Sequence, residues 1–177
     1  MLLRKINAVL TLICTFLLLN HAVFIALYVF SQGRILNPLH AGAWVLVGAC
    51  AIHAFISIDL AVSAHMEGEH RKCKSYPKLN RATIFQRVGG ILLIPLIALH
   101  IAGATGAMTP PKLVHSILPP LFFAIALAHV AISAGKALIT LGIGSARAVR
   151  ITETVMKIFC TLTWVLDVVA FYVLYGF

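Results

Sequence analysis

The chain has 177 residues, of which 61% are hydrophobic and 11% are charged, and its mean hydropathy is +1.00. A soluble domain of this length needs more polar surface, so the composition excludes an ordinary soluble protein. The formal net charge of +9 does not indicate nucleic-acid binding, because the basic residues flank apolar runs and form no separate basic face.

Five apolar segments follow one another along the chain, each long enough to cross a hydrocarbon core of roughly 30 Å. Polar or Gly- and Pro-containing stretches separate them, and none has the alternating pattern of a membrane β-barrel strand. In lipid a helix satisfies its own backbone hydrogen bonds. We therefore predict an all-α fold, a single transmembrane domain over residues 1–177. The five predicted helices cover about residues 6–30, 41–64, 84–104, 114–141 and 151–175.

The basic residues predict the orientation. With five spans, twelve Lys and Arg residues lie on the side of the N-terminus, and only Arg34 and Lys112 lie on the other side. Cytoplasmic loops are rich in Lys and Arg, so we expect a cytoplasmic N-terminus in a multi-pass protein of the inner (cytoplasmic) membrane. The long basic loop 65–81 would lie on this side, where it is either a topology signal alone or also a surface for a soluble partner or anionic lipid.

Histidine is the residue type that indicates chemistry. Four of the eight histidines lie well inside four successive spans, and an imidazole in hydrocarbon is costly without a partner. At 1.5 Å per residue, His21 and His100 lie about 14 Å and 8 Å from the outer ends of their helices. His53 and His129 lie about 17 Å and 23 Å from theirs. Depth therefore predicts a shallow pair, His21 with His100, and a deep pair, His53 with His129.

The surrounding residues favour haem over other metals. Zinc or non-haem iron would favour carboxylates or a tight four-ligand cluster, and we take Asp59 and Asp167 to be the acids within the spans. The four cysteines form no CxxC or Cys/His cluster. Paired neutral imidazoles on facing helices suit low-spin haem. Small residues near the histidines, such as Gly89 and Gly90, would let a porphyrin approach the backbone, but ordinary helix packing also explains them.

Three segments that contain these histidines resemble a known family. They are FQRVGGILLIPLIALH (85–100), HVAISAGKALITLGI (129–143) and, less specifically, HAFISIDLAVSA (53–64). They are similar to the third-, fourth- and second-helix motifs of the Bacillus-type, single-chain, five-helix dihaem cytochrome b anchor of succinate:menaquinone oxidoreductases and quinol:fumarate reductases. Helix one matches mainly in spacing, and Ser133 stands where the family usually has glycine.

The resemblance implies two haem b groups with bis-histidine ligation, one held by His21 and His100 and the other, nearer the cytoplasm, by His53 and His129. It implies a flavoprotein subunit and an iron–sulfur subunit on the cytoplasmic face, with menaquinone or another quinone as substrate. The chain alone would not convert succinate or fumarate. It would relay electrons between the iron–sulfur subunit and the quinone.

Other polar residues have candidate roles. Gln86, Arg87 and Lys136 are candidate contacts of haem propionates, although snorkelling to the membrane surface explains Arg87 equally well. His40 and His115 flank the outer surface and are candidates for a quinone site. Asp59 is a candidate for proton transfer or for an interhelical hydrogen bond, and Asp167 has the same two interpretations.

Two other functions are compatible with the sequence. One is a different dihaem cytochrome b electron carrier, with its ligands distributed differently among the helices. The other is a haem-free membrane anchor, transporter or assembly protein whose histidines move protons or metal ions.

Overall fold

The computed structural model of the protein describes residues 2–32, 34, 42–66, 81–108 and 112–175. The described residues form five helices, each long and apolar enough to cross a membrane, and no strand among these residues accompanies them. The prediction of an all-α, five-helix membrane protein is confirmed. The helices are α1 (Leu2–Phe30), α2 (Gly42–Met66), α3 (Arg81–Ala104), α4 (Lys112–Leu141) and α5 (Ala146–Tyr175).

Most helices extend a little beyond the predicted apolar spans. α1, α3 and α5 each begin three to five residues earlier than predicted, within polar turns such as Arg4–Lys5 and Arg147–Arg150. Backbone hydrogen bonding continues into the interfacial region, where basic side chains can be solvated. Hydropathy alone marks only the apolar part of such a helix.

The connection between α4 and α5 is short and well defined. Gly142 has a φ of 72°, and the Ile143 amide donates to the Leu138 carbonyl oxygen at 3.0 Å, as in a Schellman cap. Only glycine adopts this conformation without steric cost. Ser145 then accepts a hydrogen bond from the Ala148 amide at 3.3 Å, which caps the start of α5.

The tightest packing lies where α1, α4 and α5 meet. Leu127, Val130, Ala131 and Cys160 form a buried cluster, against which Leu18, Leu19, Met156 and Trp164 pack. Small residues of α1, including Ala8, Ala22 and Ala26, are buried, and small side chains allow close helix approach. The Trp164 indole donates to the Pro120 carbonyl oxygen at 3.1 Å and ties α5 to α4.

The other two helices flank this three-helix junction. In the described residues, α2 packs closely against α1, and α3 packs closely against α4. α1, α2, α3 and α4 therefore form a four-helix arrangement in which α1 and α4 are neighbours and α5 lies against both of them. Exposed apolar side chains such as Phe55 of α2 and Ile91 of α3 cover the outside, as expected for contact with lipid.

Candidate functional site

We call His21 and His100, the predicted shallow pair, the outer pair, and His53 and His129, the predicted deep pair, the inner pair. The outer pair lies between α1 and α3. The ring centroids of His21 and His100 are 6.5 Å apart, and the ring planes meet at 87°. His100 also stacks on Phe122 of α4, with centroids 4.9 Å apart and planes inclined by 25°. The structure thus brings together the two histidines that the sequence predicted as the shallow pair.

The inner pair joins α2 and α4. His53 and His129 lie close enough for their rings to interact electrostatically. The Nδ1 atom of His53 is 3.5 Å from the Thr11 hydroxyl oxygen on α1. The His129 ring lies against α3, where a Cβ added to Gly90 would be 3.2 Å from His129 Cε1. The structure therefore also brings together the predicted deep pair.

Both pairs bridge helices that do not pack directly against each other. Within the described segments, α1–α3 and α2–α4 are absent from the helix pairs whose backbones pack closely, while α1–α2, α3–α4 and α1–α4 are present. Paired histidines thus come from diagonally opposite helices of the four-helix arrangement. An imidazole reaches several ångströms from its backbone, so the rings of a pair can approach each other although their helices do not pack directly.

The separation of the outer pair is compatible with two imidazoles on one haem. Two trans imidazoles, each about 2.0–2.1 Å from a metal, have ring centroids roughly 6.3 Å apart, close to the 6.5 Å seen for His21 and His100. A direct edge-to-face pair of rings also falls within this range, so the separation alone does not identify a metal site. The second observation is His129 Nδ1, which is buried and has no hydrogen-bond partner among the described residues. His129 is therefore a polar group in buried surroundings, although iron bound at its Nε2 atom would not itself partner Nδ1.

The two pairs lie at different depths. Thr11 marks the level of His53 on α1, and His21 follows it by ten residues. Gly90 marks the level of His129 on α3, and His100 also follows by ten residues. At 1.5 Å per residue, both helices place the two levels about 15 Å apart. The arrangement can therefore hold two groups one above the other within the bilayer.

The first hairpin, α1–α2, is repeated in the second, α3–α4. The Asn7 side-chain amide donates to the Ser57 hydroxyl at 3.0 Å, and the Gln86 side-chain amide donates to the Ser133 hydroxyl at 3.0 Å. Each serine follows an inner-pair histidine by four residues, and each amide residue precedes an outer-pair histidine by fourteen. Each histidine pair therefore joins equivalent positions of two repeated hairpins.

The repeat was not predicted, although the sequence contains a signal of it. The segments at His53 and His129 share the pattern His-x-x-Ile-Ser-x-x-x-Ala, and the amide-to-histidine spacing of fourteen occurs in both α1 and α3. The overall identity between the hairpins is low, because lipid-facing positions accept almost any apolar residue. The contacts between helices made the equivalence visible.

A polar cluster lies beside the inner pair, towards the end of the bundle where α1 begins. The Gln86 amide donates to Ser133, and the Lys136 ammonium group donates to the Gln86 side-chain oxygen. A cavity of about 240 Å³ opens here between α1, α2, α3 and α4. Its polar lining comprises Arg4, Asn7, Thr11, Gln86, Ser133, Lys136 and Thr140.

The residues predicted to contact haem propionates lie in or near this cluster. Gln86 and Lys136 contact each other beside the cavity, whereas Arg87 is exposed and lies near Lys136. Glu153 of α5 lies near Lys136 in this cluster. The prediction that Asp59 and Asp167 are the acids within the spans was therefore incomplete. An added Cβ at Gly135 would overlap the Glu153 side chain, which shows how closely this carboxylate approaches α4.

The remaining candidates lie away from the histidine pairs or outside the description. Asp59 is exposed on α2 near Phe55, and the structure shows no contact that supports proton transfer there. Asp167 is 5% exposed, and its Oδ2 atom has no hydrogen-bond partner among the described residues. His40, the side chain of His115 and most of the basic loop 65–81 lie outside the described residues.

No group of three or more His, Cys, Asp and Glu side chains that could hold a metal ion occurs in the part of the chain that the structure describes. A bis-histidine haem needs only two protein ligands, because the porphyrin supplies the others. Comparison with known proteins finds no matching family model, no matching curated protein and no matching solved structure.

Proposed function

We propose that this protein is a dihaem cytochrome b that anchors a succinate:quinone oxidoreductase or quinol:fumarate reductase in the membrane. The observation that carries the proposal is the meeting of four intramembrane histidines in two diagonal pairs at two depths. The motifs at residues 85–100 and 129–143, which resemble those of this family, supply the finer assignment.

The histidines would hold the two haems. His21 and His100 would be the axial ligands at the outer level, and His53 and His129 those at the inner level. When bound, haem supplies one-electron redox chemistry at a potential that its axial ligands and surroundings set. The chain fixes the separation of the two levels, the orientation of the ligand rings and the polarity around them.

The polar cavity would receive the propionate groups of the inner haem. Arg4 and Lys136 bring positive charge to it, and Asn7, Gln86 and Ser133 bring hydrogen-bond donors. Carboxylates are stabilised by such charge-assisted hydrogen bonds, most strongly where water is partly excluded. The cavity also lies towards the end of the bundle that the basic residues predict to be cytoplasmic, the side from which an iron–sulfur subunit would deliver electrons.

The test is purification of the protein from its native membranes. We expect a red preparation that contains about two haems per chain, a flavoprotein and an iron–sulfur subunit. Succinate should reduce haem in that complex under anaerobic conditions, and fumarate should reoxidise it. A dihaem preparation without these subunits and without a response to succinate would indicate another class of cytochrome b.

One observation favours the haem-free alternative. Asp167 is buried in α5 with an unpartnered Oδ2 atom, within the described residues, and ionisable groups of this kind occur in proton and ion pathways. A colourless preparation from cells grown with haem available would support that function. In that case Asp167→Asn should impair proton or ion movement in reconstituted vesicles.

A further inference from the structure

The two histidines of the inner pair are held in different ways. Thr11 of α1 and Gly90 of α3 occupy equivalent positions, because each follows the amide residue of its hairpin, Asn7 or Gln86, by four. Thr11 places a hydroxyl 3.5 Å from His53 Nδ1. Gly90 has no side chain, and the equivalent atom, His129 Nδ1, has no hydrogen-bond partner in the described part of the chain.

The hydrogen-bond inventory of Thr11 decides the direction of its contact with His53. A threonine hydroxyl has one proton to donate and two lone pairs to accept with. The Thr11 hydroxyl donates that proton to the Asn7 carbonyl oxygen at 2.8 Å, which is a far better hydrogen bond than one at 3.5 Å. Towards His53, Thr11 is therefore an acceptor.

The backbone gives the two rings equivalent neighbours: the Asn7 carbonyl group lies near the His53 ring, and the Gln86 carbonyl group lies near the His129 ring. The Thr11 hydroxyl is therefore the contact that distinguishes the two histidines. Because Thr11 accepts, His53 Nδ1 must carry a proton. A neutral imidazole with its proton on Nδ1 has an unprotonated Nε2, whose lone pair can bind a metal.

We propose that Thr11 is a positioning residue for His53: it accepts the Nδ1 proton, which fixes the tautomer and leaves the Nε2 lone pair for a metal. The tautomer follows from the contacts of this chain alone, and its use in binding haem iron rests on the proposed function. Metal-binding histidines commonly donate their other N–H group to a neighbouring acceptor, which orients the ring and raises its basicity.

The second hairpin has no room for a side-chain hydrogen-bond acceptor at the position equivalent to Thr11. A Cβ at Gly90 would be 3.2 Å from His129 Cε1 and 3.8 Å from Nδ1, so a side chain there would press on the ring itself. Gly89 also faces this ring, with 3.9 Å between its added Cβ and Nδ1. The glycines leave no room for a side-chain acceptor beside His129, so the Thr11 hydroxyl has no counterpart in the second hairpin.

The experiment measures the tautomer directly in the full chain. The protein is labelled with ¹⁵N-histidine, reconstituted in lipid bilayers without haem and examined by solid-state NMR, with His53→Gln used to assign the His53 signals. The variants are Thr11→Val, which removes the hydroxyl, and Thr11→Ser, which keeps it. The control is Thr15→Val, one turn along the same helix, whose hydroxyl donates to the Thr11 carbonyl oxygen.

We expect a protonated Nδ1 and an unprotonated Nε2 at His53 in the natural protein, in Thr11→Ser and in Thr15→Val. Thr11→Val should shift the population towards the Nε2-protonated form. In the haem-loaded chain, Thr11→Val should weaken retention of the inner haem by about tenfold or more and shift its midpoint potential, while Thr11→Ser restores both. The outer haem should be unaffected.

An Nε2-protonated His53 in the natural protein would overturn the proposal, and this measurement does not depend on any variant folding. A Thr11→Val chain with unchanged tautomer and unchanged potential would overturn it as well. A chain that binds no haem but keeps the Nδ1-protonated form would contradict the proposed function and leave the role of Thr11 in fixing the tautomer intact.

Discussion

Cys14 of α1 and Cys50 of α2 place their thiol groups close to each other. They continue a series of contacts that begins with Asn7 and Ser57 and proceeds through Thr11 and His53. In each contact the α1 residue number rises as the α2 number falls by the same amount, as antiparallel helices require. The proximity of the two thiols therefore reports the same helix alignment that places Thr11 beside His53.

This alignment predicts a specific cross-link. Oxidation of the reduced protein in membranes with air and copper phenanthroline should join Cys14 to Cys50, with oxygen as the acceptor of the two electrons. Trypsin cleavage after the exposed Arg34 separates α1 from α2, so the two fragments should stay together without reductant and separate with it. Cys14→Ser and Cys50→Ser should each abolish the cross-link, and Cys160→Ser should not. Fragments that separate in both conditions would contradict the alignment.

The diagonal pairing predicts which histidine variants behave alike. His21→Ala and His100→Ala should remove the same haem component from the optical spectrum, because each deletes one ligand of the outer pair. His53→Ala and His129→Ala should remove the other component. The double variant His21→Ala/His100→Ala should retain the inner component. Loss of different components from His21→Ala and His100→Ala would refute the pairing.

The close approach of Gly90 to His129 predicts a local effect of a single methyl group. In Gly90→Ala the new Cβ would be 3.2 Å from His129 Cε1, so the ring must move by a few tenths of an ångström. We expect a changed EPR signal and reduced occupancy for the inner haem, with the outer haem unchanged. Gly103→Ala is the matched control on the same helix, because its added Cβ meets nothing within 4 Å. Equal effects of the two substitutions would exclude a specific role for Gly90.

The repeated amide–serine hydrogen bonds predict similar coupling in the two hairpins. A double-mutant cycle with Gln86→Leu and Ser133→Ala should give a coupling free energy of about 0.5–2 kcal/mol, typical of interhelical hydrogen bonds in membranes. The cycle with Asn7→Leu and Ser57→Ala should give a value of the same size. Unfolding by steric trapping in bicelles provides the free energies. Additive effects in both cycles would show that these contacts do not stabilise the bundle.

Lys136 should make the Gln86–Ser133 cycle differ from the Asn7–Ser57 cycle. Its ammonium group also donates to Gln86, so Gln86→Leu removes contacts with two residues, Ser133 and Lys136, whereas Asn7→Leu removes contacts with Ser57 alone. We therefore expect Gln86→Leu to be more destabilising than Asn7→Leu. Repeating the cycle in a Lys136→Met background should bring the two hairpins closer together.

Sequence analysis predicted much of the site because depth in a membrane is a one-dimensional property. The helix lengths and the positions of His21, His53, His100 and His129 along them follow from counting residues. The same counting could not show that Arg87 and Asp59 are exposed, since exposure depends on how each helix is rotated about its axis. It also could not reveal that Glu153 of α5 packs against Gly135.

The amino-acid sequence by itself determined that the chain crosses the membrane five times and carries histidines at two depths. Both results follow from the cost of exposing polar backbone and unpartnered imidazole to lipid. Only the tertiary structure decided which helices are diagonal neighbours and that His53 meets Thr11 while His129 meets Gly90. Those relationships join residues that are far apart in the chain, and the packing of small side chains between helices sets them.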